Sequence, residues 1–360
     1  MKKLDRIKIT NYKSIRDLDL ELSDLNVFIG ANGSGKSNFI GAFKFLNHLI
    51  EGNLQTYTAA QGGADIILHF GRKHSEDISF SLSFNNGING YECRLAAGAE
   101  DNFFFIREIA WFHNKAHPTP KMESLGRGHL ESKISAKPTR ISGYVMGHLE
   151  SWKLYHFHDT SDSAKVKLTG HLEDNRFLRP DARNLAAFLY RLEQTHKDHF
   201  DNIQDAIRLV APFFDRFNLK PRWANPDTIL LEWLEKGSDA YFNASVLSDG
   251  TLRFICMATL LLQPQLPSVI LVDEPELGLH PSAISVLANL LQSAAKRTQV
   301  LISTQSVTLV NHFEPQDVVV VEREEGQSVF RRLDRADMTN WLDDYSLGDL
   351  WEKNVIGGRP

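Results

Sequence analysis

A glycine-rich segment near the N-terminus has the residue types needed to bind phosphate. Residues 30–37 read GANGSGKS and match the pattern G-x-x-x-x-G-K-[ST], between a predicted buried strand and a predicted helix. Glycines let main-chain amides approach a phosphate, while Lys36 would reach β- and γ-phosphates and Ser37 would ligate Mg²⁺. The predicted contact residues are Gly30, Ala31, Asn32, Gly33, Ser34, Gly35, Lys36, Ser37 and Asn38.

Two adjacent carboxylates end a predicted buried strand in the second half of the chain. Residues 269–281 read VILVDEPELGLHP. In this position Asp273 would hold the hydration shell of Mg²⁺, and Glu274, on the opposite side of the strand end, would polarise an attacking water as a general base. A solvated polar turn is the alternative, and the glycine-rich phosphate loop in the same chain makes it the weaker one.

A third segment predicts a helix N-terminus that can face an anion. Residues 246–253 read VLSDGTLR and lead into an apolar helix, so Ser248 and Gly250 would lie at its start. An ordinary capped turn would have the same residues.

A fourth segment ends a predicted parallel strand on polar side chains. Residues 300–307 read VLISTQSV, which would deliver Ser303, Thr304 and Gln305 to the carboxyl edge of a sheet. The amide of Gln305 can donate a hydrogen bond to a phosphate oxygen, but it cannot carry a proton charge. A glutamine that bonds to the main chain at the edge of the core is the alternative.

Composition limits the classes of protein that this chain can represent. It has 360 residues, 42% of them hydrophobic, and a formal net charge of −5, so any nucleic-acid surface must be a local patch. Two cysteines predict a reduced cytoplasmic compartment without a disulfide framework. The N-terminal residues predict no signal peptide, and the apolar runs are too short to span a bilayer.

The elements that must position these groups follow from periodicity. We expect two strands around a turn in residues 4–29, a helix over 37–50, and an antiparallel set of short strands over 64–112 that begins with ADIILHF. Asp181 is predicted to cap a further helix. Strands alternate with helices beyond residue 245, which favours an α/β fold.

Taken together, these segments resemble the head of an ABC-type ATPase. GANGSGKS, LSDGTLR, VILVDEP and ISTQS occur in the order found in such heads, and DEPELGLHP is similar to the RecF/SMC/OLD branch. QGGADIILHFG, RPDARNLAAFLYRL and LGDLWEKNVIGGRP resemble free-standing RecF-like ATPases. The resemblance covers most of the chain and is weakest in residues 113–175.

The resemblance implies an α/β P-loop NTPase head with a mixed sheet, an antiparallel β lobe and a helical or basic insertion before the signature. It implies four parts: an N-terminal ATPase half with the P-loop and β lobe, an insertion, a C-terminal ATPase half and a tail. Their predicted bounds are 1–112, 113–240, 241–335 and 336–360.

The resemblance also implies a site built from two chains, with ATP and Mg²⁺ as cofactors. ATP on the P-loop of one copy would be capped by Ser248 and Gly250 of another, forming an ATP-dependent homodimer. Gln305 replaces the usual switch histidine, so it is expected to sense the γ-phosphate. Gln61 is the candidate for the magnesium-contacting glutamine that follows the first helix.

Three further positions are less specific. His280 stands where many heads carry an aspartate, and it would either reach across the dimer or cap the helix that Pro281 starts. Lys13 and Ser14 lie at a turn that is near the nucleotide in resembling heads, and solvated turn residues are as well supported. Residues 115–140 form either a DNA-contacting basic lobe or a solvated loop, and the cations are Lys115, Lys121, Arg127, Lys133, Lys137 and Arg140.

We therefore expect a cytoplasmic ATPase that acts in DNA repair or antiviral defence with a separate effector, such as a nuclease, since the C-terminal residues carry no acidic nuclease-like constellation. One alternative is an ATP-locked scaffold that regulates a partner toxin or effector without acting on DNA. A transporter subunit is the other, and Gln305, His280 and the 113–180 insertion argue against it.

Overall fold

The N-terminal segment forms three strands followed by three helices. The computed structural model describes residues 3–136 and 138–359. Its first elements are β1 (Leu4–Tyr12), β2 (Ile15–Glu21), β3 (Leu25–Ile29), α1 (Lys36–Ile50), α2 (Leu54–Ala60) and α3 (Ala64–Ile67). The expectation of two strands in residues 4–29 was one strand short, because the turn at Lys13 and Ser14 separates β1 from β2 and a second turn precedes β3. The helical spacing predicted for 37–50 matches α1.

An antiparallel sheet follows in the chain. Its strands are β4 (Asp77–Phe84), β5 (Asn89–Ala97), β6 (Phe103–Phe112) and β7 (Lys121–Gly126), and the sheet order is β2-β1-β4-β5-β6-β7. Alternate residues of β4 are buried, as expected for a strand with one face on a core. The predicted antiparallel lobe is therefore present.

The strand predicted for ADIILHF is wrong, because its first four residues form α3. Asp101 accepts hydrogen bonds from Ala64 N through its main-chain oxygen (2.8 Å) and from Asp65 N through its carboxylate (3.0 Å). Lys13 N donates to Ile67 O at 2.8 Å. Contacts with distant residues thus fix a single helical turn where local composition favoured a strand.

The middle of the chain contains short elements and two small sheets. The elements are α4 (Arg140–Leu149), β8 (Trp152–Tyr155), β9 (Gly170–His171), α5 (Leu185–Thr195), α6 (Lys197–Val210), β10 (Phe214–Phe217), β11 (Pro221–Arg222), β12 (Asn225–Ile229), β13 (Glu232–Glu235) and β14 (Tyr241–Asn243). The small sheets have the orders β10-β13-β14 and β11-β12-β9. Asp181 does not cap α5; the residue before this helix is Asn184, whose side-chain oxygen accepts from Arg179 N at 2.9 Å.

The C-terminal segment alternates helices with strands. Its elements are α7 (Asp249–Leu262), β15 (Val269–Asp273), α8 (Pro281–Ala295), β16 (Gln299–Thr304), α9 (Val307–Val310), β17 (Val318–Glu324), β18 (Gln327–Arg332), α10 (Arg335–Leu342) and α11 (Leu347–Glu352). Short 3₁₀ turns occur at Lys165–Lys167, Ala244–Val246 and Pro315–Asp317.

A central mixed sheet joins strands from the whole chain in the order β18-β17-β3-β16-β15-β8. All neighbours are parallel except β17 and β18. In register, Ile29 pairs with Thr304, Asp273 with Ser303, and Val272 with Tyr155. The carboxyl ends of β3, β16, β15 and β8 therefore lie at one edge, where ligands bind in open α/β sheets.

Two hydrophobic cores cover the faces of this sheet. Along β16, Val300 and Ile302 belong to a core with α5, α6, α7 and α8, whereas Leu301 belongs to a core with α1 and the antiparallel sheet. This alternation follows from strand geometry. The second core contains residues of α1 and of both large sheets. Helix α1 therefore lies between these sheets, and its first residue, Lys36, lies at the carboxyl edge.

The predicted insertion at 113–240 contributes β7 to the antiparallel sheet and β8 to the central sheet. The division into four parts stays a prediction. Two strands of the predicted insertion, β7 and β8, pair with strands of the predicted ATPase halves. Among the described residues, no helix combines the length and the apolar character that a bilayer-spanning segment requires.

Candidate active site

The carboxyl edge of the central sheet brings together three of the four segments singled out by sequence. The loop after β3 leads into α1, β15 ends at Asp273, and β16 ends at Thr304 before Gln305. The neighbouring registers place these ends side by side. Segments that are more than 200 residues apart in the chain are thus adjacent in the fold.

Lys36 lies inside the loop that precedes α1. It is buried, and its Nζ donates to the main-chain oxygens of Gly30 and Ala31, the latter at 3.0 Å. Burial lowers the pKa of Lys36, and the negative charges of Glu274 and Asp273 oppose that shift. The Lys36 ammonium therefore lies within electrostatic reach of the acidic end of β15.

Two loop glycines are required by close packing against the β17–β18 hairpin. A Cβ on Gly30 would overlap the main-chain oxygen of Val321, and one on Gly35 would overlap the hydroxyl of Ser328. Both glycines also have positive φ, 152° and 116°. Ser328 was not identified from the sequence. Its hydroxyl lies 2.6 Å from Ser14 Oγ and bonds the main-chain oxygen of Ser34, so β18 contacts the loop and stabilises it.

Asp273 is fixed at the end of β15 by its neighbour in the sheet. Its Oδ1 accepts a hydrogen bond from the Ser303 hydroxyl. Ser37, the other predicted magnesium ligand at this edge, is exposed in the first turn of α1. A carboxylate and a hydroxyl are suitable ligands for Mg²⁺, which usually keeps several waters and phosphate oxygens as its remaining ligands.

Glu274 occupies a strained main-chain conformation beside Gln305. Its φ is 44°, in a region that residues other than glycine rarely adopt. Its main-chain N–H donates to Ser303 O at 2.9 Å. Gln305 Nε2 donates to Glu274 Oε1. The amide nitrogen and the carboxylate that the sequence proposed as catalytic are therefore in direct contact, and the amide orients the carboxylate.

Ser248 and Gly250 begin α7, as predicted. Ser248 is exposed, and its Oγ caps the helix by accepting from Thr251 N at 3.3 Å. A Cβ on Gly250 would overlap the main-chain oxygen of Gly278, in the turn after β15. The glycine is therefore required for packing within the chain, while the serine and the helix N-terminus face solvent.

Arg253 connects α7 to two loops around the site, the one after β8 and the one after β15. Its guanidinium donates to Leu277 O at 3.0 Å, to His158 O at 2.9 Å and to Phe157 O at 3.3 Å. Arg253 was not predicted as a site residue, because an arginine that bonds main-chain oxygens of distant segments leaves no local pattern in the sequence.

A histidine after β8 was also missed as a site residue. His158 Nε2 lies 2.8 Å from Asp273 O, and His156 precedes it at the end of the same strand. The signal in the sequence was a short apolar strand, WKLY, followed by polar residues, as in the other edge segments. Without knowing that β8 pairs with β15, these histidines resembled ordinary core or surface residues.

The less specific predictions have mixed outcomes. Gln61 follows α2, and its Oε1 accepts from Lys13 Nζ at 3.2 Å, so magnesium coordination by Gln61 stays a prediction. Ser14 is buried, and its Oγ accepts from Asn38 Nδ2 at 2.7 Å, which connects the β1–β2 turn to the P-loop helix. His280 caps α8 through Nδ1, which accepts from Ser282 N at 3.3 Å.

The residues present fit a nucleotide with magnesium. The first-turn amides of α1 have no acceptor within the helix, and the buried Lys36 bonds main-chain oxygens of the loop that would surround a phosphate. Over residues 3–136 and 138–359, no group of three or more His, Cys, Asp or Glu side chains is arranged to hold a metal ion. Mg²⁺ would accordingly need phosphate and water oxygens beside Asp273 and Ser37.

Comparison with known proteins agrees with this arrangement. Residues 25–311 match a family described as AAA domain, putative AbiEii toxin, Type IV TA system. The chain is 23% identical to the OLD nuclease of Thermus scotoductus over 97% of this chain and 68% of that protein.

The fold is that of an SMC head. A crystal structure of an Smc head bound to the C-winged helix domain of ScpA has a TM-score of 0.61 at 14% identity, covering 93% of this chain and 99% of that one. The Smc head of Pyrococcus furiosus, with an extended coiled coil and bound to the C-terminal domain of ScpA, has a TM-score of 0.60 at 15% identity, covering 96% and 99%. The α/β ABC-type head expected from the sequence is thus confirmed. The chain belongs to the AAA domain, putative AbiEii toxin, Type IV TA system family and is an ATP hydrolase of the P-loop, RecF/SMC/OLD-like ABC type.

Proposed function

We propose that two copies of this chain bind ATP head-to-tail and separate after hydrolysing it. The P-loop of one copy would hold the phosphates, and Ser248 and Gly250 of the other copy would close the site. The observation that carries this proposal is the exposed start of α7, where the hydrogen-bond partner of Ser248 is Thr251 of the same helix. A helix N-terminus open to solvent can bind an anion supplied by another molecule.

The proposed chemistry assigns one role to each edge residue. Ser37 and Asp273 would hold Mg²⁺, which offsets the charge of the phosphates when bound. Glu274 would accept a proton from the attacking water. Gln305 would orient Glu274 in the resting protein, and its contact with a γ-phosphate remains the prediction made from its position.

Glu274→Gln tests the assembly. This variant keeps the oxygen that accepts from Gln305 but loses the proton acceptor, so ATP should bind and remain uncleaved. In sedimentation with ATP and Mg²⁺, Glu274→Gln should accumulate as a dimer. The parent protein should hydrolyse its ATP and return to the oligomeric state that it has without nucleotide. A variant that hydrolyses ATP at the parent rate, or stays monomeric with ATP, would contradict the proposal. If the protein is dimeric without nucleotide, phosphate release decides the question.

We propose that the ATPase binds DNA through the basic segment at residues 115–140. The described cations of the 115–140 segment are all exposed: Lys115, Lys121, Arg127, Lys133 and Arg140. The acidic residues between them turn inward: Glu131 accepts from Leu54 N at 2.8 Å, and Glu123 accepts from Ser142 N at 3.1 Å. The surface that remains is cationic, which suits a phosphate backbone. Lys137, also predicted to contribute, lies outside the described residues.

We further propose that a separate effector subunit completes the function in DNA repair or antiviral defence. The OLD relative is named a nuclease, and the SMC heads are seen bound to parts of ScpA, a different protein. The free, buried thiols of Cys93 and Cys256 suit a reducing cytoplasm, where we place the protein. Affinity purification of the chain with its genomic neighbours, with and without ATP, tests for such a subunit.

A scaffold that restrains a partner toxin is the second candidate, favoured by the toxin–antitoxin description of the family. Slow ATP turnover that duplex DNA does not change, together with ATP-dependent binding of a partner, would support the scaffold over the DNA-acting ATPase.

A further inference from the structure

We propose that Glu276 is a positioning residue that holds the turn after β16, so that Gln305 directs its amide onto Glu274. This inference rests on the proposed function, because it assumes that Glu274 is the general base. It adds a second carboxyl group with a different role.

The contacts of Glu276 converge on this turn. Its Oε1 accepts from the Thr304 hydroxyl at 2.5 Å and lies 3.4 Å from Gln305 N. The Thr304 hydroxyl oxygen in turn accepts from Ser306 N at 2.9 Å. One carboxyl oxygen therefore links the turn after β15 directly to Thr304 and Gln305, and through the Thr304 hydroxyl to Ser306.

Gln305 completes the connection to the reacting group. Its main-chain N–H points to Glu276, and its side-chain Nε2 donates to Glu274 Oε1. Because one residue bonds both carboxyl groups, the position of its backbone sets the position of its amide. Releasing the turn from Glu276 would let the Gln305 amide leave Glu274 Oε1.

The surroundings of Glu276 favour a neutral carboxyl group. The residue is 8% exposed, and within the described part of the chain its Oε2 has no hydrogen-bond partner. Leaving an ionised oxygen buried without a partner is costly. Burial raises the pKa of Glu276; the hydrogen bonds from Thr304 and Gln305 lower it, the charge of Glu274 raises it, and the pKa stays above its ordinary value. Lys36 on α1 and Asp273 on β15 are charged groups nearby, while Thr304 at the end of β16 and Gln305 after it contact Glu276 as neutral hydrogen-bond partners.

Glutamine reproduces a neutral glutamic acid, so Glu276→Gln and Glu276→Ala form a matched pair. We expect Glu276→Gln to hydrolyse ATP in a single turnover within about threefold of the parent. Glu276→Ala should be slower by about 5- to 100-fold, since it removes the hydrogen bonds that Glu276 accepts from Thr304 and Gln305. ATP affinity, measured by calorimetry, should change less than threefold in both variants. A defect in the hydrolysis rate without a defect in affinity separates positioning from general loss of structure.

Thr304→Val keeps the test valid if Glu276→Ala does not fold. It removes the hydroxyl bonded to Glu276 and should also slow hydrolysis. Thr298→Val is its control, because Thr298 is a buried threonine just before the same strand whose hydroxyl bonds the Pro267 main chain. It should lower thermal stability comparably and leave the single-turnover rate unchanged.

Several outcomes would overturn the inference. Parent-like hydrolysis by Glu276→Ala would remove the positioning role, and equal loss in Glu276→Gln and Glu276→Ala would show that the charged form is needed. Equal slowing by Thr304→Val and Thr298→Val would reduce the effect to stability. Glu274→Gln separates failure of the proposed function from failure of the Glu276 inference. If this variant still hydrolyses ATP, the proposed function fails. If it is inactive, the Glu276 variants alone test the positioning role.

Discussion

His158 Nε2 lies 2.8 Å from the main-chain oxygen of Asp273, so a histidine that follows β8 contacts the acidic end of β15. The tautomer with a proton on Nε2 can donate this hydrogen bond. The contact connects the edge strand of the central sheet to the predicted magnesium ligand. It also places His158 beside Arg253, which bonds the His158 main-chain oxygen.

His158→Ala should slow hydrolysis modestly. Losing one hydrogen bond at the end of β15 costs about 0.5–1.5 kcal/mol. This corresponds to a decrease of roughly 2- to 12-fold in the hydrolysis rate, or an equal increase in the Mg²⁺ concentration that gives half of the maximal rate. Steady-state hydrolysis measured over a series of Mg²⁺ concentrations checks this. His117→Ala, an exposed histidine in a loop, is the control and should match the parent. Equal behaviour of the two variants would show that the His158 contact does not matter for turnover.

Lys36→Ala should remove most nucleotide affinity. The lysine would make charge-assisted hydrogen bonds to phosphate oxygens, each contributing about 1.5–3 kcal/mol, so affinity should fall by at least about 100-fold. Calorimetric titration with ATP and Mg²⁺ measures the loss. Lys296→Ala, an exposed lysine after α8, should bind ATP like the parent. Retained affinity in Lys36→Ala would refute phosphate binding by this loop.

Ser248→Ala should affect both stability and assembly. Loss of the helix cap costs about 0.5–2 kcal/mol of unfolding free energy. Ser346 caps α11 in the same way and is not one of the predicted site residues, so Ser346→Ala measures the cost of losing a cap. In the Glu274→Gln background, only Ser248→Ala should weaken ATP-dependent dimerisation, as measured by sedimentation. Equal dimerisation of the two double variants would exclude Ser248 from the shared site.

Charge reversal in the basic segment should weaken DNA binding. If Lys121 and Lys133 each contact a phosphate, Lys121→Glu combined with Lys133→Glu should reduce the slope of log affinity against log salt by roughly 2. Fluorescence anisotropy with duplex DNA, ATP and Mg²⁺ over a range of salt concentrations measures this slope. Lys220→Glu combined with Lys296→Glu makes the same charge change at exposed sites elsewhere. An equal effect of both pairs would indicate attraction to net charge instead of a defined surface.

Local sequence predicted the elements with strong signals. The apolar spacing in residues 37–50 identified α1, and the apolar runs VILV and VLI identified β15 and β16. It failed for ADIILHF and for the cap of α5. There, Asp101 and Asn184 make contacts that depend on residues outside the segment or on the shape of a loop. Helical and strand periods are encoded locally, whereas short segments follow their tertiary partners.

Local motifs indicate which residues could bind phosphate and take a proton, because GANGSGKS and VILVDEP each specify a main-chain shape within a few residues. The surroundings of these residues follow from the packing of distant segments. The pairing of β8 with β15 brings His158 to Asp273, burial of Glu276 connects it to Gln305, and packing against Ser328 requires glycine at position 35. These relationships depend on the order of strands in the sheet and on exclusion of water, and both arise from contacts between residues far apart in the chain.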